Sequence, residues 1–195
     1  QFFMLECTGI KDGKYIITDL NGDGEISDDD RTYVGDAQPD LTFGWQNNFT
    51  WKNWDFSFFF RGTIGNKVLN NPRAAYANNT YLIGTNALDD ELTYTMKESS
   101  RVCSYYLENG SFIRLDNLAL GYTFDTKKIN WLDKARLYFA AQNLFVITGY
   151  KGLDPEVELF RGESSDTDAG LSPGIEPRQF FPKARTFTLG VNLTF

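Results

Sequence analysis

The sequence predicts an all-β chain: an antiparallel segment of a transmembrane β-barrel, with its long loops confined to one end of the strands. Three observations carry that prediction. A hairpin over Leu41–Ile64 is apolar on one face and polar on the other. Short and long connections alternate between the strands. The strands have the length that crosses a bilayer at a tilt.

Residues 1–18 carry weak strands over Gln1–Glu6 and Tyr15–Thr18, joined through Lys11-Asp12-Gly13, and Asp19–Asp40 is an acidic loop. In the first arm of the hairpin Leu41, Phe43, Trp45, Phe49 and Trp51 share a parity broken only by Asn47, and Thr42, Gly44, Gln46, Asn48 and Thr50 take the other. Successive side chains of a strand point to opposite faces, so this is a strand period. The second arm sets Trp54, Phe56, Phe58, Phe60, Gly62 and Ile64 against Asp55, Ser57, Phe59, Arg61 and Thr63. Folded about Lys52-Asn53, position i faces position 105 − i, so Phe49 meets Phe56 and Trp45 meets Phe60. Asn53 tolerates the positive φ that such a turn needs.

Residues 65–111 are a long Asn-rich insertion, broken at Asn71-Pro72 and holding a short helix over Arg73–Ala77. In the next strand, Phe112–Phe124, the residues Leu118, Leu120, Tyr122 and Phe124 share a face, but Arg114 and Asp116 fall on the same parity and spoil its first half. Asp125–Lys134 is a short connection with a turn of helix at Lys127–Leu132, and Ala135–Ile147 is a strand of mixed pattern. Residues 148–183 form a second long loop. In the final strand, Ala184–Phe195, the residues Phe187, Leu189, Val191, Leu193 and Phe195 alternate with Thr186, Thr188, Gly190, Asn192 and Thr194.

A one-sided apolar hairpin fits two environments: a soluble sandwich, where that face packs on a second sheet, or a barrel, where it faces lipid. The connections decide. They run 2, 47, 10 and 36 residues in turn, so both long ones lie at one end of an up-and-down sheet. Structureless loops beyond about 12–15 residues are uncommon in compact soluble domains, whereas outer-membrane barrels pair short periplasmic turns with long extracellular loops. Trp51 and Trp54 then sit at the short-turn end, where an aromatic girdle belongs.

Composition narrows the function. A net charge of −7 lacks the basic stripe that nucleic acid requires. The chain contains no His, which removes Ser-His-Asp and Cys-His nucleophile systems and most catalytic zinc sites, so an enzyme is not expected. Cys7 and Cys103 stand far apart; a disulfide is permitted in an oxidising compartment, but two unrelated free thiols is the reading the spacing favours. Starting at Gln1 without a signal peptide, the chain reads as a mature or truncated piece of something longer.

The sharpest local motif is Asp19-Leu20-Asn21-Gly22-Asp23-Gly24-Glu25-Ile26-Ser27-Asp28-Asp29-Asp30. Oxygen side chains at loop positions 1, 3 and 5, Gly at 6, an aliphatic at 8, Ser at 9 and a carboxylate at 12 reproduce a calcium-loop spacing. The expected metal ligands are Asp19, Asn21, Asp23, Glu25 (through its carbonyl) and Asp30, holding a structural Ca²⁺, with Ser27 acting through water. Asp30 stands where a bidentate Glu is usual, which lowers the expected affinity. The competing reading is an acidic turn without an ion. Against it, Asp19–Asp40 holds eight Asp/Glu and one Arg, which repel one another without a counter-ion. Of the other candidates, Asp154, Glu156 and Glu158 resemble a glycosidase carboxylate set less than a solvated acidic loop. Arg61, Arg114 and Arg136 suit a polar lumen or an anionic ligand.

In several segments the chain resembles the C-terminal part of the SusC/RagA-type TonB-dependent outer-membrane transporters. The segments are Asp19–Asp30 with Arg31 and Gly35; Pro39–Gly44; Trp51–Ser57; Gly110–Asn117; Leu120-Gly121-Tyr122; Gln142–Phe145; Tyr150–Glu156; and the closing strand to Phe195. The resemblance implies that residues 1–195 supply the last five or so strands of a 22-stranded barrel in the outer membrane of a Gram-negative-type cell. It further implies an N-terminal plug with a TonB box, TonB as energy source and a SusD-like surface lipoprotein as partner. The implied substrates are oligosaccharides or oligopeptides, and the calcium-type loop and both long loops fall on the cell surface. The alternative is a secreted, calcium-stabilised β-sandwich that binds carbohydrate. Five strands cannot close a barrel, so a piece of a larger assembly is expected.

Overall fold

The computed structural model describes residues 1–78, 84, 86–127, 129, 131–157, 173–178 and 181–195. These form two compact units. Unit 1 comprises Gln1–Asp40, Ile64–Ser111 and Gly149–Phe181, and unit 2 comprises Leu41–Thr63, Phe112–Thr148 and Pro182–Phe195.

The chain opens with β1 (Phe2–Leu5), β2 (Cys7–Lys11), β3 (Lys14–Ile17) and β4 (Arg31–Gly35). The long hairpin is β5 (Leu41–Trp51) and β6 (Trp54–Ile64). The first long connection holds β7 (Lys67–Leu69), α1 (Asn71–Tyr76), α2 (Glu91–Thr95) and β8 (Leu107–Asn109). Then come β9 (Phe112–Phe124), β10 (Lys134–Thr148) and β11 (Thr186–Thr194). The acidic stretch Asp19–Asp40 is therefore not loop throughout, because β4 pairs antiparallel with β1, Leu5 opposite Arg31. Among the described residues no helix is long and apolar enough to cross a membrane, which says nothing of a β-barrel. The expected turn of helix at Lys127–Leu132 lies partly outside the described residues.

Unit 2 is one antiparallel sheet in the order β11-β10-β9-β6-β5. The five long strands expected from alternation are the five found. Because they run up and down, connections 65–111 and 149–185 leave the sheet at one end and 52–53 and 125–133 at the other. The hairpin folds about Lys52-Asn53, with the Phe49 and Phe56 rings 6.1 Å apart and the Trp45 and Phe60 rings 6.0 Å apart. The positive φ falls on Lys52 (54°) rather than on Asn53. Left-handed backbone costs a non-glycine residue roughly 1 kcal/mol. The Lys52 ammonium, 5.1 Å over the Trp51 ring, offsets part of that.

A bulge explains the spoiled pattern in β9. Asn117 pairs with Phe59 and Leu115 with Phe60, so Asp116 is an extra residue. Opposite it, β10 carries Asn143 and Leu144 between the pairs Gln142↔Asn117 and Phe145↔Leu115, and Asn143 takes φ 51°. A one-residue insertion flips every later side chain. Leu115 and Ile113 therefore continue the face of Leu118 and Leu120, and Arg114 turns to the opposite side.

Unit 1 has its own core of Phe2, Leu5, Leu69, Ala74, Ala77, Leu92, Met96, Cys103 and Tyr106. This corrects the reading of 65–111 as a mostly structureless loop, since its apolar residues supply most of that core. The short helix is present one turn-boundary earlier than expected, at Asn71–Tyr76, where the Asn70 side chain caps the Arg73 N–H and Pro72 fits the first turn. The α2 helix is capped likewise by Asp90, whose side chain accepts from Leu92 N. Leu69 bridges to Ile175 in parallel, bringing part of the second long connection into the same unit.

Gly62 marks the tightest approach in the hairpin: a Cβ there would lie 2.2 Å from the Phe112 carbonyl oxygen and 2.8 Å from the Phe43 ring. Gly62→Ala is expected to destabilise by about 1–3 kcal/mol through overpacking. Gly9→Ala, at a site with no atom within 4 Å, leaves stability unchanged. Thermal unfolding midpoints of the two variants check this.

Candidate functional site

Unit 2 offers two chemically different faces. On one, Leu41, Trp45, Phe49, Trp54, Leu120, Leu137, Phe139, Ile147, Phe187, Leu189 and Val191 are exposed. Phe49 and Leu189 stand 53% and 74% open, so among the described residues this aromatic and aliphatic wall is not covered by a second sheet. Large contiguous apolar surfaces of this kind mark a protein or membrane contact.

The opposite face is polar and internally paired. Asp55 on β6 accepts from Arg136 Nε on β10 at 2.9 Å, although β9 lies between those strands. The pair passes over Gly121, where a Cβ would meet the Arg136 guanidinium at 2.4 Å and the Asp55 carboxylate at 2.5 Å. Only a residue without a side chain leaves room for this clasp. It continues sideways, since the Arg136 guanidinium lies 5.2 Å over the Tyr138 ring. That ring in turn covers Gly190 on β11, where a Cβ would meet it at 2.4 Å. The bulged Asp116 accepts from Arg61, with Nε–Oδ2 at 3.1 Å. Arg114, wholly buried, donates to Asn143 Oδ1, and Asn143 Nδ2 reaches the Lys183 carbonyl at 2.6 Å. The three arginines singled out in the sequence thus share one face, each bonded to a named neighbour.

In unit 1 the five expected metal-ligating residues fall in one loop held by its own backbone. Asp19 Oδ1 and Oδ2 accept from Gly22 and Gly24 N–H at 2.7 and 2.9 Å. Asn21 Oδ1 accepts from Asp23 N–H and Asp23 Oδ1 from Glu25 N–H. Gly22 and Gly24 take φ 74° and 83°, which glycine adopts at no steric cost. Asp30 is buried and closes the loop: Oδ1 accepts from Leu20 N–H and Oδ2 from Ser27 N–H, both at 2.8 Å. With Ser27 it forms a capping box on the 3₁₀ turn Asp28–Asp30. The Ser27 N–H, seconded by those of Leu20 and Asn21, holds the Asp30 carboxyl below its ordinary range. The donors are all oxygens, the set a hard cation takes. Among the described residues, however, no three acidic or cysteine side chains converge on one point.

A second polar cluster in unit 1 was not legible in the sequence. Arg73 donates to Asp90 Oδ2 at 2.7 Å and lies 3.5 Å from Glu108 Oε1. Burial works to raise the Asp90 carboxyl, but the hydrogen bonds from Arg73 and Leu92 N–H and the charges of Arg73 and Lys151 together hold it below its ordinary value. Nearby, buried Glu176 accepts from Tyr150 Oη and from Leu153 N–H at 3.0 Å, and its burial raises its pKa. Gly152 makes room, because a Cβ there would meet Glu176 Oε2 at 2.3 Å. Asp154 is buried and accepts from Glu156 N–H at 2.9 Å, a local turn rather than a carboxylate pair; Glu158 lies outside the described residues.

No family model matches the chain. It is 36% identical to TonB-dependent receptor P3 of Formosa agariphila over 94% of its own length and 19% of that relative. Against TonB-dependent receptor SusC of Bacteroides thetaiotaomicron it is 29% identical over 100% of the chain and 19% of the relative. The RagAB peptide importer in its "closed-closed" state covers the whole chain, which covers 23% of that structure's chain, at a TM-score of 0.75 and 25% identity. The RagAB peptide transporter gives 0.73 at the same identity. The chain spans about a fifth of the length of the curated relatives it matches.

Because the folded pKa of Asp30 lies below the ordinary carboxylate value, its contribution is complete above that value and is lost as pH falls through the lower one. The Leu20 and Ser27 amides are expected to keep their hydrogen-exchange protection at about pH 5 and to lose it only well below about pH 4, the ordinary carboxylate value. Asp30→Ala removes both acceptors and abolishes that protection at either pH.

Proposed function

The chain corresponds throughout to a segment of the SusC/RagA-type TonB-dependent transporters, and on that premise we propose that it helps to build an outer-membrane active importer of oligosaccharides or oligopeptides. In this reading unit 2 is barrel wall. Its open apolar face meets lipid, and its paired polar face lines the lumen. TonB supplies the energy, and a SusD-like surface lipoprotein is the partner at the mouth. The long connections and the loop 19–30 face the cell exterior. The observation that carries this is the five-stranded antiparallel sheet with one uncovered apolar face, matched over the whole chain by TonB-dependent receptors. The relatives are receptors and transporters by name, in keeping with a role other than catalysis. A secreted carbohydrate-binding sandwich would need Phe49 and Leu189 packed against a second sheet, and both are open.

We further infer that Ca²⁺ is bound by side-chain oxygens of Asp19, Asn21, Asp23 and Asp30 and by the Glu25 carbonyl. A bound ion would neutralise the loop's crowded carboxylates and tie it down; it takes no part in transport chemistry. The spacing, the all-oxygen donor set and the left-handed Gly24 at the sixth position support this.

Two measurements test these readings. The intact protein is expected in the outer-membrane fraction, extractable only with detergent. Its uptake of labelled oligosaccharides or oligopeptides should stop when TonB is deleted or the proton gradient is collapsed; recovery as a soluble monomer overturns the reading. Millimolar Ca²⁺ is expected to raise the thermal unfolding midpoint over a chelator control, by about 2.7 kcal/mol of stabilisation at a hundredfold excess over Kd. Asp23→Ala should abolish that shift, and the absence of a shift in the unmodified protein counts against the ion.

A further inference from the structure

We propose that Cys7 and Cys103 are joined by a disulfide bond in the exported protein. Far apart in sequence, the two residues meet in the core of unit 1. Cys7 N–H donates to Ser104 Oγ at 2.7 Å, and Ser104 Oγ lies 3.4 Å from the Cys7 carbonyl oxygen. Ser104 begins a 3₁₀ turn, Ser104–Tyr106, whose N-terminal flanking residue is Cys103. Cys103 is wholly buried in the cluster that holds Phe2, Leu5, Met96 and Tyr106, and Cys7 packs against that same cluster. The Ser104 bonds therefore set the Cys7 backbone against the residue that follows Cys103. Both are free thiols in the structure. None of the ion pairs or loops described above uses either one, and two thiols brought to one cluster, one buried and one at its edge, are what a disulfide requires.

The chemistry assigns the two sulfurs different parts. Burial pushes the Cys103 thiol up to about 12, so it is a poor first nucleophile, whereas Cys7 is only half-buried. The oxidant is a protein disulfide of the thiol-oxidase class found in oxidising compartments. Cys7, as thiolate, attacks one oxidant sulfur and expels the other as a thiolate, giving a mixed disulfide. Cys103 then loses its proton and attacks the Cys7 sulfur, expelling the second oxidant sulfur. The two protons given up by Cys7 and Cys103 end on the oxidant, which leaves as a dithiol. The bond ties β2 to the segment that follows α2, so residues 7–103, from β2 through the β5–β6 hairpin to just past α2, are closed into one covalent loop. Its stabilisation comes from restricting the unfolded chain.

The inference rests on the outer-membrane reading only for exposure to an oxidising compartment. The test uses the intact protein isolated from the cell envelope, with free thiols blocked before lysis. It is then denatured, its thiols are counted with and without reductant, and it is mapped by non-reducing peptide mass spectrometry. The expected result is no blocked cysteine and a linked peptide pair containing Cys7 and Cys103 that separates on reduction with a gain of two hydrogens. Cys7→Ser and Cys103→Ser should each leave a single blockable thiol; the mapping of the unmodified protein stands even if either variant fails to fold. Two blocked thiols, or a bond from either cysteine to another chain, overturn the proposal. Envelope-associated protein with two free thiols would sink the disulfide and leave the import reading standing; soluble protein outside the envelope would sink the import reading.

Discussion

The structure depends on one constraint: where apolar and polar side chains alternate along each strand, they fall on opposite faces of the sheet, and the two faces suit different surroundings. In unit 2 the face carrying Phe49, Phe139, Ile147 and Leu189 is the one left open, while the polar face closes on itself through ion pairs. A soluble protein does the reverse, with apolar side chains inward. In a barrel wall, backbone amides must also be paired between strands, and β6, β9, β10 and β11 are paired with their neighbours along most of their length. Alternation, up-and-down order and one-sided long connections are what the proposed barrel wall, set between lipid and water, requires.

This logic was legible in the sequence wherever strands are uninterrupted. The hairpin and β11 alternate cleanly, and their spans were readable almost to the residue. The failure at Arg114 and Asp116 is local and physical. Parity counting assumes one residue per pleat, and the extra residue at Asp116 breaks that assumption without a glycine or proline to announce it. With Asp116 removed from the count, Ile113 and Leu115 rejoin the apolar face. The positive φ at Lys52 escaped for a related reason. Turn preferences favour Asn, but the strands decide which of the two turn positions must be left-handed, and they chose the first.

The long connections were the least legible part. Leu69, Leu92, Met96 and Tyr106 look like scattered apolar residues in an Asn-rich stretch, because the core they form is assembled with Phe2 and Leu5 from the start of the chain. Pairings of that range leave no periodic trace. The same holds for Arg73 with Asp90 and Glu108, and for Tyr150 with Glu176. By contrast, the loop at Asp19–Asp30 was readable because its spacing is local. What the sequence did not disclose is that Asp19, Asp23 and Asp30 already hold backbone N–H groups, with Asp30 as the innermost.

The clasp over Gly121 has a consequence for the order of assembly. Asp55 and Arg136 sit on strands that never touch each other, so neither the β5–β6 hairpin nor the β9–β10 hairpin contains the ion pair. It comes into being only when β9 is docked on both sides at once, and sliding either hairpin by a single residue would point one partner at the wrong side of the sheet. The salt link therefore rewards no halfway state. It works as a proofreader of alignment, silent until two separately folded hairpins have met in the one correct phase.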